Sequence, residues 1–109
     1  MELHPGVFVS DVATEEWEPD PDVPGTEMHV LVDSGGVQAG LTRITKGDTP
    51  LSWTPPVREL ILVLEGAVRI EIANGPTLEL KVGGLASLPA GVETTWHVTR
   101  PFKELWVLA

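Results

Sequence analysis

Cysteine is absent from this chain of 109 residues. That absence excludes a disulfide framework and any thiolate metal site, and it suits a reducing cytoplasm, the expected location. Also missing is any apolar run near the roughly 18 residues that a membrane span requires. The N-terminus lacks the basic-then-apolar order of a secretory signal. Positive charge is missing from residues 1–42, which carry nine acidic side chains and no Lys or Arg. Residues 43–109 hold seven charges of each sign, so the formal net charge of −9 belongs to the N-terminal part. A field of that sign repels phosphate backbones and anionic bilayers, so neither nucleic acid nor a membrane is expected as a partner. We read the acidic segment as a solubilising surface, with attraction of a cationic ligand or protein as the alternative.

What the chain does have is turn residues, 11 Gly and 10 Pro, as suits many short strands in one domain. Residues 1–26 read as an acidic, Pro-rich arm packed on a barrel formed by residues 27–109. Within the arm Val7-Phe8-Val9 suits an edge strand. Ser10 or Thr14 is placed to cap one helical turn over Val12–Glu18, with Trp17 pinning the arm down. Pro19, Pro21 and Pro24 predict an extended crossing over residues 19–26.

From Glu27 the pattern alternates. Met28, Val30 and Val32 form one face and, after Ser34-Gly35-Gly36, so do Val37, Ala39 and Leu41. That parity puts Arg43 and Thr45 on the inward face, where a lone arginine would need a partner. Lys46-Gly47-Asp48 and Pro50 end the strand. Lys46-Gly47-Asp48-Thr49 makes no phosphate loop, having neither the preceding glycine nor a following helix.

Val57 to Leu64 is apolar enough for a strand covered on both faces. Glu59 shares its parity with Ile61 and Val63, while Leu60, Leu62 and Leu64 form an opposite row suited to a dimer contact. Gly66 turns the chain. A two-residue Asn74-Gly75 hairpin would set Ile70 opposite Glu79 and mix core with solvent faces, so an odd-length loop pairing Ile72 with Leu78 is expected. Leu85–Leu88, Thr94–Thr99 and Phe102–Leu108 complete about nine short strands, the signature of a sandwich or barrel.

Two motifs in this frame resemble the cupin family. Glu59, six residues and Gly66 match its first motif; Gly83, five residues, Pro89 and Gly91 match its second. The similarity covers residues 27–109. VLEG followed by PAGVETTWHV is most similar to the small single-domain branch of ureidoglycine aminohydrolase-like and ethanolamine-utilisation (Cupin_3-like) cupins. The resemblance implies an all-β double-stranded β-helix, or jelly roll, with an interior ligand pocket and commonly a homodimer. In metal-binding cupins three histidines join the glutamate, but the matching positions here are Trp53, Pro55 and Thr94. Only Glu59 remains, and one carboxylate does not hold a transition metal, so no metal and no cofactor are expected. His97 is offset by three residues from the motif position and reads as an exposed or interface histidine. His4 and His29 lie on other segments.

A barrel of this kind places Arg43, Trp53, Glu59, Thr94 and Trp96 at its mouth. Glu59 is the catalytic candidate, because a carboxylate in an apolar barrel is either shifted upward or paired. Arg43, Trp53, Thr94 and Trp96 are the ligand-binding candidates, the indoles offering stacking and cation–π faces. An internal Arg43–Glu59 ion pair, or indoles that merely fill the interior, is the bland alternative. Trp106 reads as core. Three functions stay open: a metal-free small-molecule-binding module, an acid–base lyase, isomerase or hydrolase using Glu59, and a dimerisation module with a filled barrel. An open cavity with a raised carboxylate points to the enzyme, and Glu59 tied to Arg43 points to the binder.

Overall fold

In the computed structural model residues 1–45 and 50–109 are described; they form ten strands and no helix. The Lys46–Thr49 segment discussed above lies outside them. Two long antiparallel strands, β7 (Glu59–Ile72) and β10 (Thr94–Leu108), form the spine and exchange partners halfway. The first half of β7 pairs with the second half of β10, flanked by β9 (Leu85–Leu88) and by β5 (Val37–Ile44). Beyond β5 lie β4 (Glu27–Ser34) and β3 (Glu18–Pro19). The other halves of β7 and β10 pair with each other and are flanked by β8 (Thr77–Leu80) and β6 (Leu51–Trp53). Two sheets sharing two strands are the arrangement of a jelly roll, as the cupin-like motifs imply.

A longer central strand than expected results because Gly66 does not end β7. It sits inside the strand at φ +76°, where a Cβ would collide with the Pro101 and Thr99 carbonyls of the bulged β10 segment. The β7–β8 loop is odd-length, as expected, but shorter. Ile70 faces Leu78 and Val68 faces Leu80, closed by the Ile72 N–H on the Pro76 carbonyl at 3.1 Å. Asn74 tolerates the positive φ of 58° at the tip, so three residues suffice. The core between the sheets gathers Ile44, Ile61, Val63, Val68, Ile70 and Phe102 around Trp96 and Leu88. Each fully buried Ile or Val contributes about 1.5–3 kcal/mol.

The arm departs from expectation in two places. No helical turn forms over Val12–Glu18; Asp11 instead closes a single turn, its side chain accepting from the Ala13 N–H at 2.7 Å and its carbonyl from Thr14 N–H at 3.0 Å. A helix cannot continue because Glu18 and Pro19 already pair with β4. Residues 19–26 make a closed loop between β3 and β4, not an extended crossing, with Asp20 N–H on the Thr26 carbonyl at 3.1 Å. Trp17 does pin the arm. Its indole N–H reaches the Thr14 carbonyl at 2.9 Å, and the Arg43 guanidinium lies 4.4 Å above its ring. Strands β1 (Glu2–His4) and β2 (Val7–Phe8) form a separate hairpin.

The arm also explains a face inversion. Leu41, Leu31 and Leu105 lie on the outer face of the sheet, in a groove lined as well by Phe8 and Val12 of the arm. Gln38, Thr42 and Ile44 face the interior instead. Arg43 therefore points outward, contrary to the parity reading. Both rows of β5 are apolar enough to be covered, and alternation alone does not say by what.

Candidate functional site

Between the sheets lies a cavity of about 250 Å³, nearer the size for a small metabolite than for a drug-sized ligand. Glu59 lines it from the start of β7 and is only 4% exposed. Its position follows from the preceding segment: Pro55 is buried and accepts the Gly91 N–H at 2.8 Å, tying the β6–β7 connection to the second cupin-like motif. Trp53, at the end of β6, donates its indole N–H to Glu59 Oε1 at 2.9 Å. Burial pushes the Glu59 carboxyl up to about 7, with the indole donor opposing that shift.

Thr94 is the cross-strand neighbour of Trp53. Its hydroxyl donates to the Trp53 carbonyl and accepts the Trp96 indole N–H at 2.8 Å. Thr94 is buried but does not line the cavity; it ties the Trp53 backbone to the Trp96 indole. Trp106, read from sequence as core, is a third cavity wall. Its ring sits over Gly40, where a Cβ would lie 3.1 Å from Cζ2 and would collide with the His29 carbonyl. Arg43 does not reach the site. It pairs with Glu27 at 3.0 Å on the outer face, contrary to the expected ligand-binding role, and among the described residues no guanidinium lines the cavity with Glu59. His97 is half-buried beside Glu71 at 3.1 Å, away from the cavity.

The residue missing from the sequence reading is Glu104. It is 5% exposed, lines the cavity, and its Oε2 has no hydrogen-bond partner among the described residues. Burial first, and the Glu59 charge second, hold its carboxyl well above the usual range. The signal was present: in Phe102-x-Glu104-x-Trp106-x-Leu108 one acid interrupts an otherwise apolar row. Asp20 and Asp22, in the β3–β4 loop, and Asp33 also line the cavity. Asp33 reaches that side because a bulge between Val30 and Val32 shifts the register of β4.

A model of the EutQ-like cupin domain matches residues 31–104. The chain belongs to the EutQ-like cupin family. Solved cupin structures superpose on it. A Salmonella typhimurium protein described as an ethanolamine utilization protein Q has a TM-score of 0.80 at 22% identity, covering 99% of this chain and 89% of that one. The Clostridium difficile EutQ protein gives 0.66 at 21% identity, covering 76% of this chain and 66% of that one. A cupin superfamily protein of Desulfitobacterium hafniense gives 0.65 at 20% identity, with 78% and 77% covered. No curated protein matches the chain. At these identities the superpositions establish the fold alone.

The metal ion held by many cupins does not fit this donor set. Among the described residues no histidine lines the cavity, and no group of three or more His, Cys, Asp or Glu is placed to share an ion. One Glu59 oxygen is occupied by an indole donor, and Thr94 is committed to the two tryptophans.

Proposed function

We propose that this EutQ-like cupin binds a small molecule in its interior cavity without a metal ion. The observation that carries this reading is a cavity left open between three indoles and two buried carboxyl groups. Tryptophans that merely filled the barrel would leave no such space, so the filled-module reading loses its support. The test is thermal unfolding and tryptophan emission of the purified chain against a library of small acids, amines, alcohols and sugars. A binder should raise the melting temperature and shift emission in the wild type, and do neither once Trp106→Ala and Trp96→Phe have altered the walls. A library without one such compound would contradict the reading.

Glu59 favours a second reading, acid–base chemistry on the bound molecule. Its carboxyl titrates near 7, reaches the cavity and is free of Arg43, as a residue that takes and returns a proton near neutral pH must be. Under this reading Glu59→Gln keeps binding and abolishes turnover. Equal turnover in the variant would leave simple binding.

Partner and location belong to the same proposal. Leu85 is 73% and Leu60 48% exposed, and together with Leu62 they lie on adjacent strands of one outer face, suited to a second copy of the chain. The described residues contain no helix long and apolar enough to cross a membrane, and a cytoplasmic homodimer is the proposed form.

A further inference from the structure

We infer that the cavity ligand is an organic cation, a primary ammonium on a short apolar body, with its N–H donors directed at Glu104 and Glu59. This rests on the interior-binding reading above and names the class of molecule.

The first observation is Glu104 itself. Glu104 is 5% exposed, and among the described residues its Oε2 has no donor. Buried carboxyl oxygens without partners are costly and are ordinarily satisfied, so the missing donor is expected from outside the chain. The second observation is the sign of the walls. Five carboxyl groups line the cavity, Glu59, Glu104, Asp20, Asp22 and Asp33, and among the described residues no Lys, Arg or His does.

The remaining walls narrow the ligand further. The Trp53 N–H is spent on Glu59 and the Trp96 N–H on Thr94, so neither indole offers a donor or acceptor to a guest. What the rings offer is their faces, which attract a cation and accommodate a short alkyl chain. A quaternary ammonium would satisfy the faces but bring no N–H to Glu104. A carboxylate or phosphate would meet a wall of carboxyl groups that offers it no cation among the described residues. A primary ammonium satisfies both demands, and charge-assisted hydrogen bonds are the strong ones.

Ligand entry must also displace protons. Both carboxyls hold theirs above the ordinary range in the empty chain, so an ammonium binds by replacing them. The other charged groups that line the cavity are Asp20 and Asp22 from the β3–β4 loop and Asp33 from β4; β5 and β6 contribute only neutral side chains to it. Affinity for the amine should therefore rise with pH through about 7, the Glu59 midpoint.

The experiment is calorimetric titration of the full chain with butylammonium, tetramethylammonium, 1-butanol and butyrate, with tryptophan emission recorded in parallel. The expected order is butylammonium tightest, by about 10-fold or more over 1-butanol, tetramethylammonium weaker, and butyrate without binding. Butylammonium binding should release protons, seen as a heat that depends on the buffer, and tighten from about pH 6 to about pH 8. Glu104→Gln should weaken it by about 10-fold, a larger loss than 1-butanol shows. Should that variant not fold, the wild-type order of the four probes decides alone. Binding of 1-butanol or butyrate as tight as the amine overturns the cation and leaves the binding cavity standing. Failure of all four probes overturns both.

Discussion

Glu59 carries a pH dependence whose sign can be worked out. Its carboxyl titrates near 7 in the folded chain against an ordinary 4.5. Between those values the unfolded chain binds fewer protons, so stability falls as pH rises through the window, fully present below about 4.5 and lost above about 7. The size is about 3 kcal/mol for a complete shift of this kind. Urea unfolding of wild type and Glu59→Gln at about pH 5 and about pH 8 should show the wild type losing relative stability at the higher pH; parallel behaviour would contradict it. Trp53→Phe removes the one donor that opposes the shift. The Glu59 midpoint should then move further upward, read by carboxyl-carbon NMR. At this scale the sequence was a partial guide. Glu59 stood out as the lone acid in an apolar run, and Glu104 stood in an equally plain row. Arg43 was misplaced because the outer face of β5 is covered by the arm, and no pattern local to β5 encodes that.

Elements position these side chains through two close approaches. Gly40 lets β4 and the Trp106 ring come together on β5, and a Cβ there would collide with the His29 carbonyl. Gly40→Ala should cost about 1–3 kcal/mol and disturb the Trp106 wall. Urea midpoints and the emission maximum check both. Gly66→Ala adds the strain of φ +76° to a collision with two carbonyls, and should be the more damaging of the two. Gly40 was legible as a strand position and Gly66 as a turn signal. The use of Gly66 inside a long strand was not, since a bulge on β10 is what brings the Thr99 and Pro101 carbonyls over it. The same limit applies to Asp33, moved to the cavity side by a bulge that leaves no compositional mark.

For the whole molecule, two motifs at the right spacing identified the jelly roll, and the strand order between them followed. The interior was less legible: motif positions showed which ligating histidines are gone, but not that a second carboxyl would stand beside the first. The outer leucine face makes a prediction at this scale. A Leu60→Lys, Leu85→Lys double variant should sediment as a monomer with cavity binding intact, if that face joins two copies. An unchanged sedimentation coefficient would remove it as the contact. The account depends above all on two carboxyl groups held away from water inside the sheet. Site-resolved carboxyl titration of the ligand-free chain tests that directly. Glu59 should titrate near 7 and Glu104 well above its ordinary value, whereas both midpoints near 4.5 would show solvated carboxylates and contradict it.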